Sequence, residues 1–385
     1  MGIYEELGVR PFINAYRPLT RLGGSTLPEC VLDAMREASE RSVDVVLLQQ
    51  KIGDAIALLT QNEAAFVSCG AASGITLATA ACIAGTDPVL SERLPNTDGM
   101  KNEVVMQTRD QGYKCDVAIR CAGGRIVHIG DKDGASEQDL SMAINEKTAA
   151  LFVLPSDEPG KMAVEQMISV ARAHNVPVLV DAAFGVPPKK TFWRYTRDMG
   201  ADAVFISGGK GLRGPQCTGL VLGKRWIVKA CAFHGFPNDR IGRVMKVGKE
   251  ELAGIYAAVK FFMDQDEASD RQMRARQMDF IISCVEVIPN VTLQRLHRTR
   301  AMINFDSAEF GFTSASARQS LLNDVPSVYL ELSDGKMLVS TECLQPGEEK
   351  VVANQLRKLF NDGRVSKSCS SVAEGNNQVS NIGSE

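Results

Sequence analysis

The chain has 385 residues, 44% of them hydrophobic, with a formal net charge of −3. That is enough apolar material for a large core and for two domains of unequal size. Lys and Arg are scattered rather than blocked, which argues against nucleic-acid binding as the main task, and no run approaches the roughly 20 apolar residues of a membrane helix. The N-terminal MGIYEELGVRPF lacks a basic stretch followed by an apolar one, so a cytoplasmic location is expected. Next, PECVLDAMREASERSVDVVLLQQKIGDAIALLTQ (28–61) predicts two helices, with Pro28 near a first turn where its missing N–H costs nothing.

From there short β-branched runs alternate with amphipathic stretches. Strands are expected at 64–68, 103–107, 125–130, 149–155, 176–181, 203–207 and 217–223, with helices such as 72–85 and 163–175 between them. Several of the strands are apolar throughout, which predicts an α/β fold with a mostly parallel seven-stranded sheet covered on both faces. The last two strands are too close for a crossover helix, so one of them should be antiparallel or inserted by a longer route. A long amphipathic helix (249–266) follows, then shorter elements to about 362 that predict a small α+β domain. The expected division is an N-terminal segment with its helices (1–62), a large domain (63–265), and a small domain (266–363) completed by part of the N-terminal segment. The Ser-, Asn- and Gly-rich stretch 364–385 reads as a disordered tail.

The ten cysteines include no pair separated by only two residues, and they read as reduced, buried thiols. The four histidines (128, 174, 234, 297) are far apart, so no metal is expected.

In open α/β sheets ligands bind beyond the carboxyl ends of the strands. Three strand ends stand out. FVSCGAASG places Gly70, Ala71, Ala72 and Ser73 at a helix start, where backbone donors suit a phosphate. VPVLVDAAFG ends in Asp181, either a helix N-cap or a carboxylate kept for a cationic partner. AVFISGGKG puts Lys210 among glycines, with no apolar bed for its stem and with room for a ligand. A lysine, an acid and an anion site are what pyridoxal 5'-phosphate requires for its aldehyde, ring nitrogen and phosphate. Their order along the chain matches that of fold-type I pyridoxal-phosphate enzymes.

The segments LGVRPFINAYRPLTRLGGSTLP, SCGAASGITLATAACIAG, MKNEVVMQ, VPVLVDAAFGVPP, SGGKGLRGPQCTGLVLG and IGRVMKVGKEELAG resemble the family of bacterial selenocysteine synthase (seryl-tRNA selenium transferase) and its non-RNA relatives, such as D-glucosaminate-6-phosphate ammonia-lyase. The resemblance spans roughly residues 5 to 340. It implies that Lys210 forms the Schiff base, that Asp181 partners the pyridine nitrogen, and that Ala71, Ala72, Ser73 and Ser207 hold the phosphate. It implies an aromatic or histidine stacked on the cofactor ring, for which Gln111 and Tyr113 are on offer. It also implies a homodimer or larger ring with sites at subunit interfaces, where Arg243 or Lys246 would serve a neighbour. The basic residues are not clustered as a tRNA-modifying member requires, so the expected partner is a small amino-acid-type molecule rather than nucleic acid or membrane.

The expected reaction is removal of an α-proton by Lys210, followed by elimination of a β-substituent to give a keto acid and ammonia. Reprotonation from the opposite face would instead make a racemase or epimerase, with His234, Tyr113 or Cys115 as the second acid. Aminotransfer and a non-catalytic scaffold are further alternatives. For the substrate carboxylate, Arg295 (beside Arg298 and Arg300) and Arg21 are the candidates, with Arg243, Lys246 and His234 as further substrate-binding positions.

Overall fold

The computed structural model describes residues 2–108, 116–131, 133–156 and 160–378, with side chains through Gly363. Gln111, Tyr113 and Cys115 lie outside the described residues. The chain divides into a larger unit, Leu19–Gln265, and a smaller one formed by Met1–Pro18 with Asp266–Glu385. The first strand, β1 (Ile13–Asn14), belongs to the smaller unit.

The larger unit is built on seven strands: β2 (Ala64–Ser68), β3 (Glu103–Gln107), β4 (Arg125–Ile129), β5 (Thr148–Val153), β6 (Val178–Asp181), β7 (Ala203–Ser207) and β8 (Gly219–Gly223). Their order across the sheet is β2-β8-β7-β6-β5-β3-β4. The neighbouring pairs from β7 to β4 are parallel, while β8 runs antiparallel to both β7 and β2. The short link from β7 to β8 has no room for a crossover helix, so β8 returns antiparallel.

Alternation of side chains splits the strands between two apolar layers. Val105, Val153, Val204 and Ile206 face one layer with Ile56, Met167 and Ile255. Val104, Met106, Phe152 and Phe205 face the other with Ile75 and Ala78 of the helix Ala71–Ala84. The helices predicted over 28–61 are Glu29–Ser39 and Val45–Thr60. Both belong to the larger unit, where the first packs on the helix Lys249–Asp264 and the second on that helix and β2.

The smaller unit holds β9 (Val291–His297), β10 (Arg300–Phe305), β11 (Val328–Tyr329), β12 (Glu331–Ser333) and β13 (Lys336–Ser340). Four of these form an antiparallel sheet in the order β12-β13-β10-β9, while β1 pairs in parallel with β11, joining Ile13 to Val328. Phe305, Phe310 and Phe360 pack edge to face in its core, with ring centroids 5.1–6.0 Å apart. The last helix is Glu348–Gln378, which runs into the stretch that composition marks as a poor core former.

The expectation of uniformly buried cysteines is corrected. Among the described cysteines Cys231 is buried, whereas Cys30, Cys121 and Cys217 are exposed, and none of those described forms a disulfide. Cys30 stands in the first turn of the helix Glu29–Ser39, whose inward position is Val31. Cys217 stands in the loop before β8. Burial pushes the Cys82 and Cys231 thiols well up, keeping them protonated and inert.

Candidate active site at the carboxyl edge of the sheet

Because β8 is antiparallel to both its neighbours, β2 and β7 run parallel and end on the same edge, beside the end of β6. Ser68 and Ser207 both pair with Gly219 across β8, and Asp181 pairs with Phe205 across β6 and β7. Register therefore gathers the turn after β2, the loop after β7 and the last residue of β6. Gly70, Lys210 and Asp181 come from positions far apart in the chain, and the ladder brings them to one edge.

The turn after β2 is held by its own backbone. Gly70 adopts φ 86° and ψ 160°, a conformation open to glycine, and precedes the helix Ala71–Ala84. Its N–H donates to the Ser68 carbonyl at 2.9 Å, and its carbonyl accepts from the hydroxyls of Ser68 at 2.9 Å and Ser73 at 2.8 Å. The amides of Ala71, Ala72 and Ser73 form the first turn, where no helical carbonyl precedes them. A Cβ on Gly219 would stand 2.3 Å from the Gly70 carbonyl carbon and 2.4 Å from the Ala71 nitrogen. β8 thus begins directly against the turn after β2, and only a glycine permits that approach.

Asp181 is half-buried at the end of β6. Its Oδ1 accepts the Ala183 amide at 2.9 Å, which fixes the carboxylate at the strand end. Phe184, 48% exposed, follows on a turn closed by the Gly185 N–H donating to the Ala182 carbonyl at 2.7 Å. Its ring centroid lies 3.1 Å from Lys210 Nζ.

The Lys210 loop is fixed at several points. Gly208 donates to the Thr218 carbonyl and Gly214 to the Gly208 carbonyl, each at 2.8 Å. A strap from the start of the larger unit, Leu19–Thr26, seals it: Ser25 N–H donates to the Gly209 carbonyl at 3.0 Å, and Ser25 Oγ donates to the Lys210 carbonyl at 2.6 Å. Gln216 Nε2 also donates to the Thr20 carbonyl at 2.8 Å, and Arg213 Nε to that of Thr26 at 3.2 Å. Arg21 is exposed on this strap between those anchor points. The strap and Phe184 escaped the sequence reading of the Lys210 loop. RLGGST, with its paired glycines, and the phenylalanine three positions past Asp181 were the available signals.

These residues fit pyridoxal 5'-phosphate: an amine on a fixed loop, a carboxylate held at the end of a neighbouring strand, and a turn with open space at Gly70 among the described residues. Ser207, at the end of β7, opens the Lys210 loop on the same edge.

His234 belongs elsewhere, and its assignment to substrate binding is corrected. It is fully buried. Nε2 donates to the Gly85 carbonyl at 2.8 Å, so Nδ1 is left to accept the Ser91 hydroxyl at 3.2 Å. Gly85 caps the far end of the 14-residue helix Ala71–Ala84, about 20 Å from Ser73 at 1.5 Å per residue. Burial pushes the imidazole below its usual range, and Arg240 adds to this against the Gly85 bond.

Arg295 lies in the smaller unit, where it pairs with Asp279 and donates to the Arg298 carbonyl at 2.9 Å. Arg300 pairs with Glu342 at 2.8 Å. Arg243 and Lys246 are exposed in the larger unit. Arg243 pairs with Asp239 at 3.3 Å, and both cations lie near the Phe236 ring.

Comparison with known proteins bears on the whole chain. A 5'-C-glycyluridine monooxygenase-decarboxylase from Streptomyces sp is 31% identical, covering 93% of this chain and 92% of that protein. A D-glucosaminate-6-phosphate ammonia lyase from Salmonella typhimurium is 30% identical, covering 93% of this chain and 98% of that one. The solved structure of a D-glucosaminate-6-phosphate ammonia-lyase superposes with a TM-score of 0.83 at 27% identity, covering 94% of this chain and 99% of that chain. The architecture is that of fold-type I pyridoxal-phosphate enzymes. The family model described as SelA, L-seryl-tRNA selenium transferase, matches residues 28–288. The chain belongs to that family.

Proposed function

We propose that the chain is a pyridoxal-phosphate-dependent lyase that removes the α-proton of an amino acid or amino sugar acid and expels a β-substituent, leaving a keto acid and ammonia. The observation that supports it most is the meeting of Lys210, Asp181 and the Ala71–Ser73 amides on one sheet edge. The ammonia-lyase relative, alike over nearly its whole length, gives the reaction class.

The cofactor, when bound, supplies an electron sink that acidifies the hydrogen on the substrate's α-carbon. The Ala71, Ala72 and Ser73 amides and Ser207 hold its phosphate, aided by the helix dipole. Asp181 keeps the proton on its ring nitrogen. Lys210 would anchor the cofactor's aldehyde and, once the substrate's amine has displaced it there, would take the α-proton through Nζ and as an ammonium return it to a departing β-hydroxyl, which leaves as water. Hydrolysis of the released enamine restores that water and frees ammonia. Arg21 on the strap binds the substrate carboxylate through its planar fork. Arg21→Lys is expected to raise KM roughly 10- to 100-fold with a smaller effect on kcat, the loss of a charge-assisted pair; equal KM values would remove Arg21 from this role. The reading includes a homodimer in which Arg243 and Lys246 reach the neighbour's site, to be checked by sedimentation.

Proton NMR in heavy water tests the reaction, with the cofactor-loaded protein and single D- or L-amino acids and amino sugar acids. Loss of the α-proton signal with a new keto acid and ammonia is expected. Deuterium at the α-carbon with both enantiomers and no keto acid would replace the lyase by a racemase. A second reading follows from the Streptomyces relative, a monooxygenase-decarboxylase by name: the same carbanion reacting with dioxygen and losing carbon dioxide. Oxygen uptake and carbon dioxide release in place of ammonia would favour it.

A further inference from the structure

We propose that Phe184 is a positioning residue for Lys210, whose ring receives the lysine's side chain whenever its unbonded amine carries a proton. The inference rests on the cofactor reading above and adds a residue to it. Lys210 Nζ lies 3.1 Å from the Phe184 ring centroid, well within the range at which the electron-rich face of an aromatic ring attracts a cation. The ring is presented by a fixed turn: Asp181 Oδ1 holds the Ala183 amide at 2.9 Å, the Gly185 N–H closes on the Ala182 carbonyl at 2.7 Å, and Thr191 Oγ1 donates to the Gly185 carbonyl at 2.6 Å. Ser25 and Arg213 fix the lysine's own carbonyl. Both partners are therefore held on rigid backbone, and the side chain of Lys210 spans between them. Phe184 is itself 48% exposed, so the ring is poorly placed for core packing and well placed beside the reacting amine.

The ring acts with opposite sign on two steps. Capture of an aldehyde needs the neutral amine: its nitrogen bonds the carbonyl carbon and the oxygen leaves as water. A ring that stabilises the ammonium slows this step. Proton abstraction runs the other way. The Cα–H bond breaks, the proton joins Nζ, the electron pair passes into the cofactor, and the new ammonium comes to rest over the ring. The same contact then favours the step. A residue that only supported the local fold would move both steps in one direction.

Phe184→Leu keeps the apolar bulk and removes the π face; Phe184→Tyr keeps the face. In the apoprotein, NMR with isotopically labelled lysine should show the ε-methylene protons of Lys210 shifted upfield by the ring, with Lys210→Ala identifying the signal and Phe184→Leu abolishing the shift. Covalent capture of pyridoxal phosphate by apo Phe184→Leu, followed by absorbance, should be roughly three- to tenfold faster than wild type at neutral pH. Loaded Phe184→Leu should exchange the substrate α-proton in heavy water more slowly by a similar factor, and Phe184→Tyr should restore both rates. An apoprotein without the ring-induced shift, or rates that move together or not at all, would overturn the proposal. Failure of the protein to take pyridoxal phosphate at all would sink the cofactor reading instead, while the apoprotein spectrum would still report on the Phe184 contact.

Discussion

At the scale of single residues, the site assigns different work to groups that composition treats alike. Lys210 is one of 43 basic residues, yet its loop and strap fix its backbone from several sides. Lys210→Ala should end borohydride-stable attachment of the cofactor and slow α-proton exchange by roughly 10²- to 10⁴-fold. Asp181→Asn should still take up cofactor but exchange the α-proton slower by a similar factor, measured in heavy water. Near-normal exchange would contradict the role of Asp181. His234 makes a prediction about pH rather than catalysis. Burial holds its folded form neutral below the ordinary imidazole range of 6.5, whereas the unfolded chain takes up a proton there. The unfolded state binds more protons, so stability falls as pH drops below about 6.5. Urea midpoints of wild type and His234→Gln between pH 7.5 and 5.5 should show a shallower acid loss in the variant; parallel curves would exclude His234 as a source.

At the scale of elements, β8 and its neighbours carry the site. Gly219→Ala would drive a Cβ into the Gly70 carbonyl and the Ala71 amide, both backbone atoms. Overpacking of this kind costs about 1–3 kcal/mol, and because the turn must shift, affinity for inorganic phosphate or the cofactor should fall with Tm. Calorimetry with and without cofactor measures both, and an unchanged cofactor affinity would contradict phosphate binding at the turn that Gly219 supports.

The strands were legible in sequence because apolar β-branched runs such as AVFIS and EVVMQ have few other readings. The short link before β8 left two readings, an antiparallel strand or a longer insertion, and β8 takes the first. The Leu19–Thr26 strap was not legible. Its bonds to Gly209, Lys210 and Gln216 are contacts across nearly 200 positions, and backbone carbonyls leave no mark in composition. Phe184 was not legible either, because its closeness to Lys210 joins residues 26 positions apart. His234 misled because its type suggests chemistry, while its burial depends on the packing of the helix Arg225–His234 against Ala71–Ala84.

At the scale of the whole molecule, every residue proposed to hold the cofactor lies in Leu19–Gln265. Cofactor should therefore slow amide exchange at Ala71–Ser73 and in the Ser207–Lys210 loop, and raise Tm with concentration as expected for a ligand of the native state. Stripping the cofactor should reverse both. Protection confined to the smaller unit would contradict the placement.

The ladder that joins Ser68, Gly219 and Ser207 also acts as a gauge. It sets the span between the turn after β2 and the Lys210 loop by hydrogen-bonded strands rather than by flexible side chains. On the proposed roles of the turn and Lys210, a bound molecule would bridge that fixed span with an anion at one end and an aldehyde at the other. The protein should therefore discriminate among vitamers by length and charge, turning away unphosphorylated pyridoxal, whose aldehyde is chemically just as reactive.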